Sequence, residues 1–297
     1  FWKYAAAAAL VITGGIIIYV SKSTSTTIEK PPVTHSGSVQ PTAPVLPTLK
    51  MSDGRIIQLA GIRDTALNEQ VKIVSGEIVY NDQVTGEQGY HELNIPRKTS
   101  YRLTLPDGTK VWLNAASSIR FPTSFTGDTR EVTVTGETYF EIAKNAAKPF
   151  IVTVNGMKVQ ATGTAFNIKA YPDDPYLGIT LTEGSVRVSS SAKTRNVQIG
   201  EQLQIRNGLN WKLAKADTDA AISWTKNKLQ FSDMSTEEVM RNLERWYDIT
   251  VVIQDKIDKH WNGTYPSDTP LTTLLRTLEQ TNDVHFKLDS NRLTVLK

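Results

Sequence analysis

The chain has 297 residues and no cysteine, which excludes disulfide frameworks, thiol nucleophiles and cysteine-bearing metal sites together; the length exceeds that of an average domain. Thirty-three Lys and Arg against thirty Asp and Glu give a formal net charge of +3, too balanced and too dispersed for a nucleic-acid binder. The four histidines, His35, His91, His260 and His285, lack metal-ligand spacing and read as spacer or surface residues, so no metal and no other cofactor is expected.

From Tyr4 to Val20 no residue is charged. At 1.5 Å per residue this run covers about 25 Å as a helix, a little short of a hydrocarbon core, and Phe1 and Trp2 extend it. Trp2, Tyr4 and Tyr19 stand where interfacial aromatics belong, with Lys3 and Lys22 just outside. Residues 1–22 are therefore expected to be a single transmembrane helix. A secretory signal peptide is the alternative, but the run is long for one and no Ala-x-Ala follows Val20. A chain that opens on such a run without Met is expected to have lost a preceding part. Residues 23–48 hold five prolines among Ser, Thr, Gly and Gln, the composition of a semi-rigid spacer.

Over 49–213 apolar residues alternate repeatedly, as in Leu103 and Leu105, Val132 and Val134, Val152 and Val154, or Leu177, Ile179 and Leu181. Turn pairs such as Asp53-Gly54, Asp107-Gly108 and Asn155-Gly156 punctuate them. An all-β domain of many short strands follows, on a jelly-roll or β-helix-like path. Asp107 and Gly108 are expected to make a tight turn, and Gly136 and Gly184 further turns or bulges. Leu49–Leu59 and Leu103–Leu113 share Leu, Asp-Gly and Leu at a 54-residue offset, which fits either an internal repeat or common hairpin chemistry.

From 214 the period changes. Ser235-Thr-Glu-Glu238 is a capping box ahead of a helical face of Val239, Met240, Leu243, Trp246 and Tyr247. A second helix carries Leu271, Leu274, Leu275 and Leu278 behind Pro270. Strand-like runs at 228–231, 249–253, 284–288 and 292–296 complete a small C-terminal α+β domain, βαβ-βαββ, over 214–297. Residues 98–213 carry fourteen basic and nine acidic residues and 214–297 eleven and thirteen, opposite signs but a small difference.

The run Tyr101–Arg120 resembles the signature of the FecR family of transmembrane anti-sigma factors in its Bacteroidetes form. Arg130–Ile142, Lys148–Val154, Val159–Ile168, Leu181–Val188 and Ile199-Gly-Glu201 follow in the family's order. Residues 214–297 resemble its C-terminal accessory domain, similar in fold to the secretin and TonB short N-terminal domain. Two departures stand out: an extra residue in the aromatic-Gly stretch at 260–265, and Ala161 at an apolar position of the motif ending Gly163-Thr164. The resemblance implies a single-pass protein of the bacterial inner membrane with its C-terminal domains in the periplasm. Its absent cytoplasmic part would hold an extracytoplasmic-function sigma factor. The signalling domain of an outer-membrane TonB-dependent transporter would contact it, and membrane proteases would release the sigma factor stepwise. The competing class is a membrane-anchored carbohydrate or cell-wall binding module, for which Trp112 and Trp211 are the candidate residues. No motif of a turnover enzyme is present.

Some proteins of this resemblance cleave themselves at a matching Gly-Thr bond. Gly163-Thr164 is therefore a candidate, with Thr164 supplying the hydroxyl, while a plain strand role for Thr164 remains the alternative. Candidate partner contacts are a sheet edge at 249–254 or 292–297 and the aromatic residues Trp246, Tyr247, Trp261 and Tyr265, with Trp246 also suited to the core. Asp173-Asp174, between two prolines, reads as a solvated loop and not as a calcium site. Glu137 has no second carboxylate nearby in sequence and no catalytic pair is assigned to it. Asn262-Gly-Thr264 is formally a glycan acceptor.

Overall fold

The computed structural model describes residues 46–81, 89–281 and 284–297. The expected membrane helix and nearly all of the spacer, His35 included, lie outside these residues. Among the described residues no helix is long and apolar enough to cross a membrane.

The described residues of 48–215 form eighteen strands: β1 (Thr48–Lys50), β2 (Ile56–Gln58), β3 (Thr65–Ala66), β4 (Val71–Val74), β5 (Glu77–Tyr80), β6 (Tyr90–Ile95), β7 (Tyr101–Thr104), β8 (Lys110–Leu113), β9 (Ser117–Pro122), β10 (Arg130–Glu141), β11 (Phe150–Val154), β12 (Met157–Ala161), β13 (Ala165–Ala170), β14 (Leu177–Glu183), β15 (Val186–Ser189), β16 (Thr194–Val197), β17 (Glu201–Arg206) and β18 (Asn210–Lys215). They form two sheets. The first runs β2-β1-β6-β9-β10-β11-β12-β15-β16. The second runs β3-β4-β5-β7-β8-β10-β13-β14-β17-β18. From β11 onward the chain visits the sheets by turns, two strands at a time. Pairing is antiparallel except at β5–β7 and β10–β11, so the path is not that of a parallel β-helix.

Alternation explains the layering. In β11, Phe150, Val152 and Val154 are buried and the residues between them are half-exposed. Such inward rows from both sheets, including Leu93, Ile119 and Val152 of the first and Leu103, Phe140 and Ile179 of the second, meet in one core. Burying each of these side chains contributes about 1.5–3 kcal/mol.

Among the described strands only β10 belongs to both sheets. Its first half pairs with β9 and β11, its second half with β8 and β13. The changeover is at Gly136, φ +75°, where an added Cβ would stand 2.6 Å from the Ala116 carbonyl oxygen. The expected bulge is thus a bend inside a strand. At its start β10 is anchored by Arg130, whose guanidinium is buried, 2.6 Å from Asp107 and bonded to the carbonyls of Ala143 and Lys148. Asp107 also accepts from Thr109 N and Oγ1, closing the β7–β8 turn in which Gly108 has φ +81°. The Asp53-Gly54 turn closes β1–β2 with the same backbone bonds, Met51 N to Arg55 O matching Leu105 N to Thr109 O. These hairpins lie in different sheets, so the 54-residue echo is hairpin chemistry recurring, not a stacked repeat.

After β18, which continues to Lys215, come α1 (Thr218–Ile222), a 3-10 turn, β19 (Lys228–Ser235), α2 (Thr236–Tyr247), β20 (Thr250–Ile253), β21 (His260–Pro266), α3 (Leu271–Thr281), β22 (His285–Asp289) and β23 (Arg292–Leu296). The βαβ-βαββ order is the one read from periodicity. The capping box at Ser235 and Glu238 is formed in both directions. β19 pairs with β21, and β23 lies between β20 and β22. The extra residue expected in 260–265 is not seen as a bulge of that strand: the irregularity is on β19, where two residues between Phe231 and Met234 oppose Asn262, which accepts from Asp233 N at 2.9 Å. At each outer edge of the three-stranded sheet a helix carboxylate takes an outward N–H: Glu244 from Val251 at 2.8 Å, Glu279 from Phe286 at 2.7 Å.

Gly136→Ala is expected to cost ~2–4 kcal/mol, left-handed strain plus overpacking, whereas Gly108→Ala, with open space around it, costs only ~1 kcal/mol. Thermal unfolding of the two variants side by side measures the difference.

Candidate functional site

The C-terminal region docks on the second sheet through a charged clasp. The loop between β13 and β14 carries Tyr171, Asp173 and Asp174, and α2 presents Arg241 and Arg245 one turn apart on one flank. Arg245 Nη2 lies 2.7 Å from Oδ1 of both Asp173 and Asp174. Arg241 Nε is 3.1 Å and Lys169 Nζ 3.6 Å from Asp174. The Arg245 guanidinium stacks 3.7 Å above the Tyr171 ring. Asp174 and Arg245 side chains are each 6% exposed, so the expected solvated loop is instead the acidic half of a buried ion-pair cluster. The β-rich region also caps α2: Lys98 N donates to Arg245 O at 2.8 Å and Arg97 to Ile249 O at 3.2 Å.

Partial burial pushes the Asp173 carboxyl up, but the Arg245 hydrogen bond and charge outweigh it and hold it below the usual carboxylate range. Burial likewise pulls Arg245 down, while the Asp174 charge and the hydrogen bonds to both aspartates leave it above its ordinary value. Burial, reinforced by the Glu137 charge, drives the Tyr171 hydroxyl well up, so it stays a donor and bonds Ala115 O at 2.6 Å.

Beside the clasp a cleft of about 430 Å³ separates the second sheet from α1, β19 and α2. On its sheet side Glu137 is 8% exposed and accepts from Asn114 Nδ2 at 2.8 Å and Asn167 Nδ2 at 3.0 Å. Trp224 closes the apolar side of the junction with Tyr139 and Ala165. Sequence reading missed this cluster because its members lie 23 and 30 residues apart. The available signal was that Asn167 interrupts an apolar run between Phe166 and Ile168.

The expected residues fall in separate places. Gly163 has φ +151° and Gly184, φ +83°, sits against Thr164, where a Cβ would meet Cγ2 at 2.5 Å. Thr164 is buried and its Oγ1 has no hydrogen-bond partner among the described residues. Neighbouring carbonyls are pinned, Thr164 O by Ile142 N at 2.9 Å and Thr162 O by Asn145 N at 3.0 Å. Trp261 is a core residue, 1% exposed, its indole bonded to Thr236, and is not an exposed anchor. Trp246, Tyr247 and Tyr265 are half-buried around the same core; Trp246 donates to Ser267 O and Tyr247 to Thr269 O. Of the two proposed edges, 250–253 is an edge whereas 292–296 is central and paired on both sides. His91 is not a surface residue: it is 1% exposed, with the Tyr80 hydroxyl on Nδ1 and Ser52 Oγ 3.4 Å from Nε2. Trp112 and Trp211 pack at the junction and against the β core respectively.

Residues 91–187 match the model of the FecR protein family and residues 228–295 that of the FecR C-terminal region. Two crystal structures of a candidate anti-sigma factor from Parabacteroides distasonis ATCC 8503 are similar to this chain, each with 27% identity and a TM-score of 0.65. They cover 69% and 70% of this chain and 98% and 99% of the crystallised one. No curated protein matches the chain.

Asp174→Ala leaves a buried guanidinium short of its charge partner, which is expected to cost ~3–5 kcal/mol of docking. Hydrogen exchange over 216–234 should rise while β11–β14 keep their protection. The Asp173 contribution is present above the unfolded carboxyl value of 3.8 and is lost as pH falls below it, so acid titration followed through Trp224 and Trp246 fluorescence should report undocking only below that value.

Proposed function

This chain belongs to the FecR family, and from that membership we propose that it is the anchored, extracytoplasmic portion of an anti-sigma regulator. One observation carries the reading: both family regions occur in order, in a chain of which 69% matches a candidate anti-sigma factor. In this reading residues 1–22 cross the bacterial inner membrane and the β-rich and C-terminal regions lie in the periplasm. The part preceding Phe1 holds an extracytoplasmic-function sigma factor. The signalling domain of an outer-membrane TonB-dependent transporter meets the C-terminal region, where Trp246, Tyr247 and Tyr265 are half-buried aromatic residues. Load on that region reaches the β-rich region through the Asp173, Asp174 and Arg245 clasp, and membrane proteases then cut the anchor stepwise.

The Gly163-Thr164 bond adds a single-turnover event. Thr164 Oγ1 attacks the Gly163 carbonyl carbon, the C–N bond breaks as the hydroxyl proton passes to nitrogen, and water hydrolyses the resulting ester to a Gly163 carboxylate and a free Thr164 amine. The unpartnered Oγ1 and the φ of Gly163 favour this step. It is a processing event, not an enzymatic activity with turnover.

With its natural upstream sequence restored, the protein is expected to co-purify with a sigma factor of this class, and deleting the upstream part should abolish capture; a full-length protein that captures none ends this reading. Intact mass of the purified chain should show two fragments meeting at 163/164, with Thr164→Ala giving one uncut species.

A further inference from the structure

Gly184, in the turn between β14 and β15, differs from most turn glycines of this chain. Gly108, Gly156 and Gly200 share its left-handed backbone, with φ of +81°, +76° and +81°, yet an added Cβ at any of them would meet nothing within 4 Å. At Gly184, φ +83°, the same Cβ would stand 2.5 Å from Thr164 Cγ2, 3.1 Å from Thr164 Cβ and 3.3 Å from the Gly163 carbonyl oxygen. All three atoms belong to the Gly163-Thr164 pair. A turn needs glycine's backbone freedom but not so close an approach to another segment.

The other side of the bond is equally confined. A Cβ on Gly163, φ +151°, would stand 2.6 Å from Lys144 Cγ, and the carbonyls of Thr162 and Thr164 are held by Asn145 N and Ile142 N. With the backbone pinned, χ1 of Thr164 decides where its hydroxyl goes. A β-branched side chain is stiff at this angle, and seating the methyl against Gly184 leaves Oγ1 another staggered position. There Oγ1 is buried and has no hydrogen-bond partner among the described residues. Attack on the preceding carbonyl is intramolecular and needs no access from solvent. A cleft of about 260 Å³ lined by Gly163 and Thr164 gives water a route to the ester that results.

We propose that Gly184 is a positioning residue for cleavage at 163/164: lacking a side chain, it seats the Thr164 methyl, holds χ1 and leaves the Gly163 carbonyl oxygen room to move as its carbon becomes tetrahedral. In that step Oγ1 bonds to the Gly163 carbon, the C–N bond breaks and the hydroxyl proton passes to the nitrogen. The inference rests on the processing event proposed above and names the residue that aims its nucleophile. A Cβ at 184 turns Thr164 to another rotamer and crowds the carbonyl, and a misplacement of about 1 Å costs on the order of a hundredfold in rate.

The test follows the intact mass of the 297-residue chain with time after cell-free synthesis in detergent, so that an early cut is seen. Gly184→Ala is expected to cut about a hundredfold more slowly than the parent. Gly156→Ala carries the same left-handed strain in open space and should cut at the parental rate. Thr164→Ser keeps the hydroxyl and removes the methyl; χ1 is released, and cutting should slow about threefold as the hydroxyl spreads over three staggered positions. Combining Gly184→Ala with Thr164→Ser removes the 2.5 Å clash and should cut about tenfold faster than Gly184→Ala alone, a recovery that a mere turn role would not give. A parent that stays uncut ends the processing reading and this inference with it. A parent that cuts while Gly184→Ala cuts equally fast, or a double variant no faster than Gly184→Ala, overturns this inference alone. Where Gly184→Ala does not fold, Thr164→Ser decides: cutting at or above the parental rate overturns it.

Discussion

The architecture depends on one strand staying continuous while it changes sheet. β10 can pair with β9 and β11 at its beginning and with β8 and β13 at its end only because Gly136 takes a φ that side chains resist, at a point where Ala116 and Ser117 leave no room for a Cβ. Arg130 fixes the start of the strand against Asp107, and Glu137 fixes the residue after the bend against Asn114 and Asn167. The bend also brings Trp112, Tyr139 and Ala165 onto the face where Trp224 and Trp246 arrive. The core, the cleft and the docking face therefore share one geometric origin.

Docking of the C-terminal region obeys local charge and not regional balance. The β-rich region is basic overall, yet it contributes the aspartates; the C-terminal region is acidic overall, yet it contributes the arginines. Burying such a cluster offsets much of its own Coulombic gain through desolvation. Its contribution is orientation: the planar Arg245 guanidinium, stacked on Tyr171 and aimed at two carboxylates, admits few alternative placements of α2. Net charge per region was accordingly uninformative about how the regions meet.

What the sequence made legible was local. Alternation located the strands of 49–213, Asp-Gly pairs located the hairpins, and the Ser235 capping box and leucine spacing located the helices, because each of these depends on neighbours within a few residues. Pairings across long separations were not legible. Arg245 meets Asp173 across 72 positions, Glu137 finds its amides 23 and 30 positions away, and His91 reads as polar surface until Tyr80 folds over it. Trp261 misled for a related reason: its strand alternates normally, but only the pairing of β19 with β21 decides which face turns inward. Thr164 was singled out by the family resemblance and not by its neighbours, and among the described residues its hydroxyl has no hydrogen-bond partner.

The outer strands of the small three-stranded sheet each offer an N–H that a glutamate of the neighbouring helix has already taken. An open sheet margin is a template on which identical chains can polymerise, and these two carboxylates act as stoppers against it. Copies of the chain are thereby kept from zipping together along these two edges. Any strand that does add there must first evict an acidic side chain, which makes the margin selective for sequences able to compensate its charge.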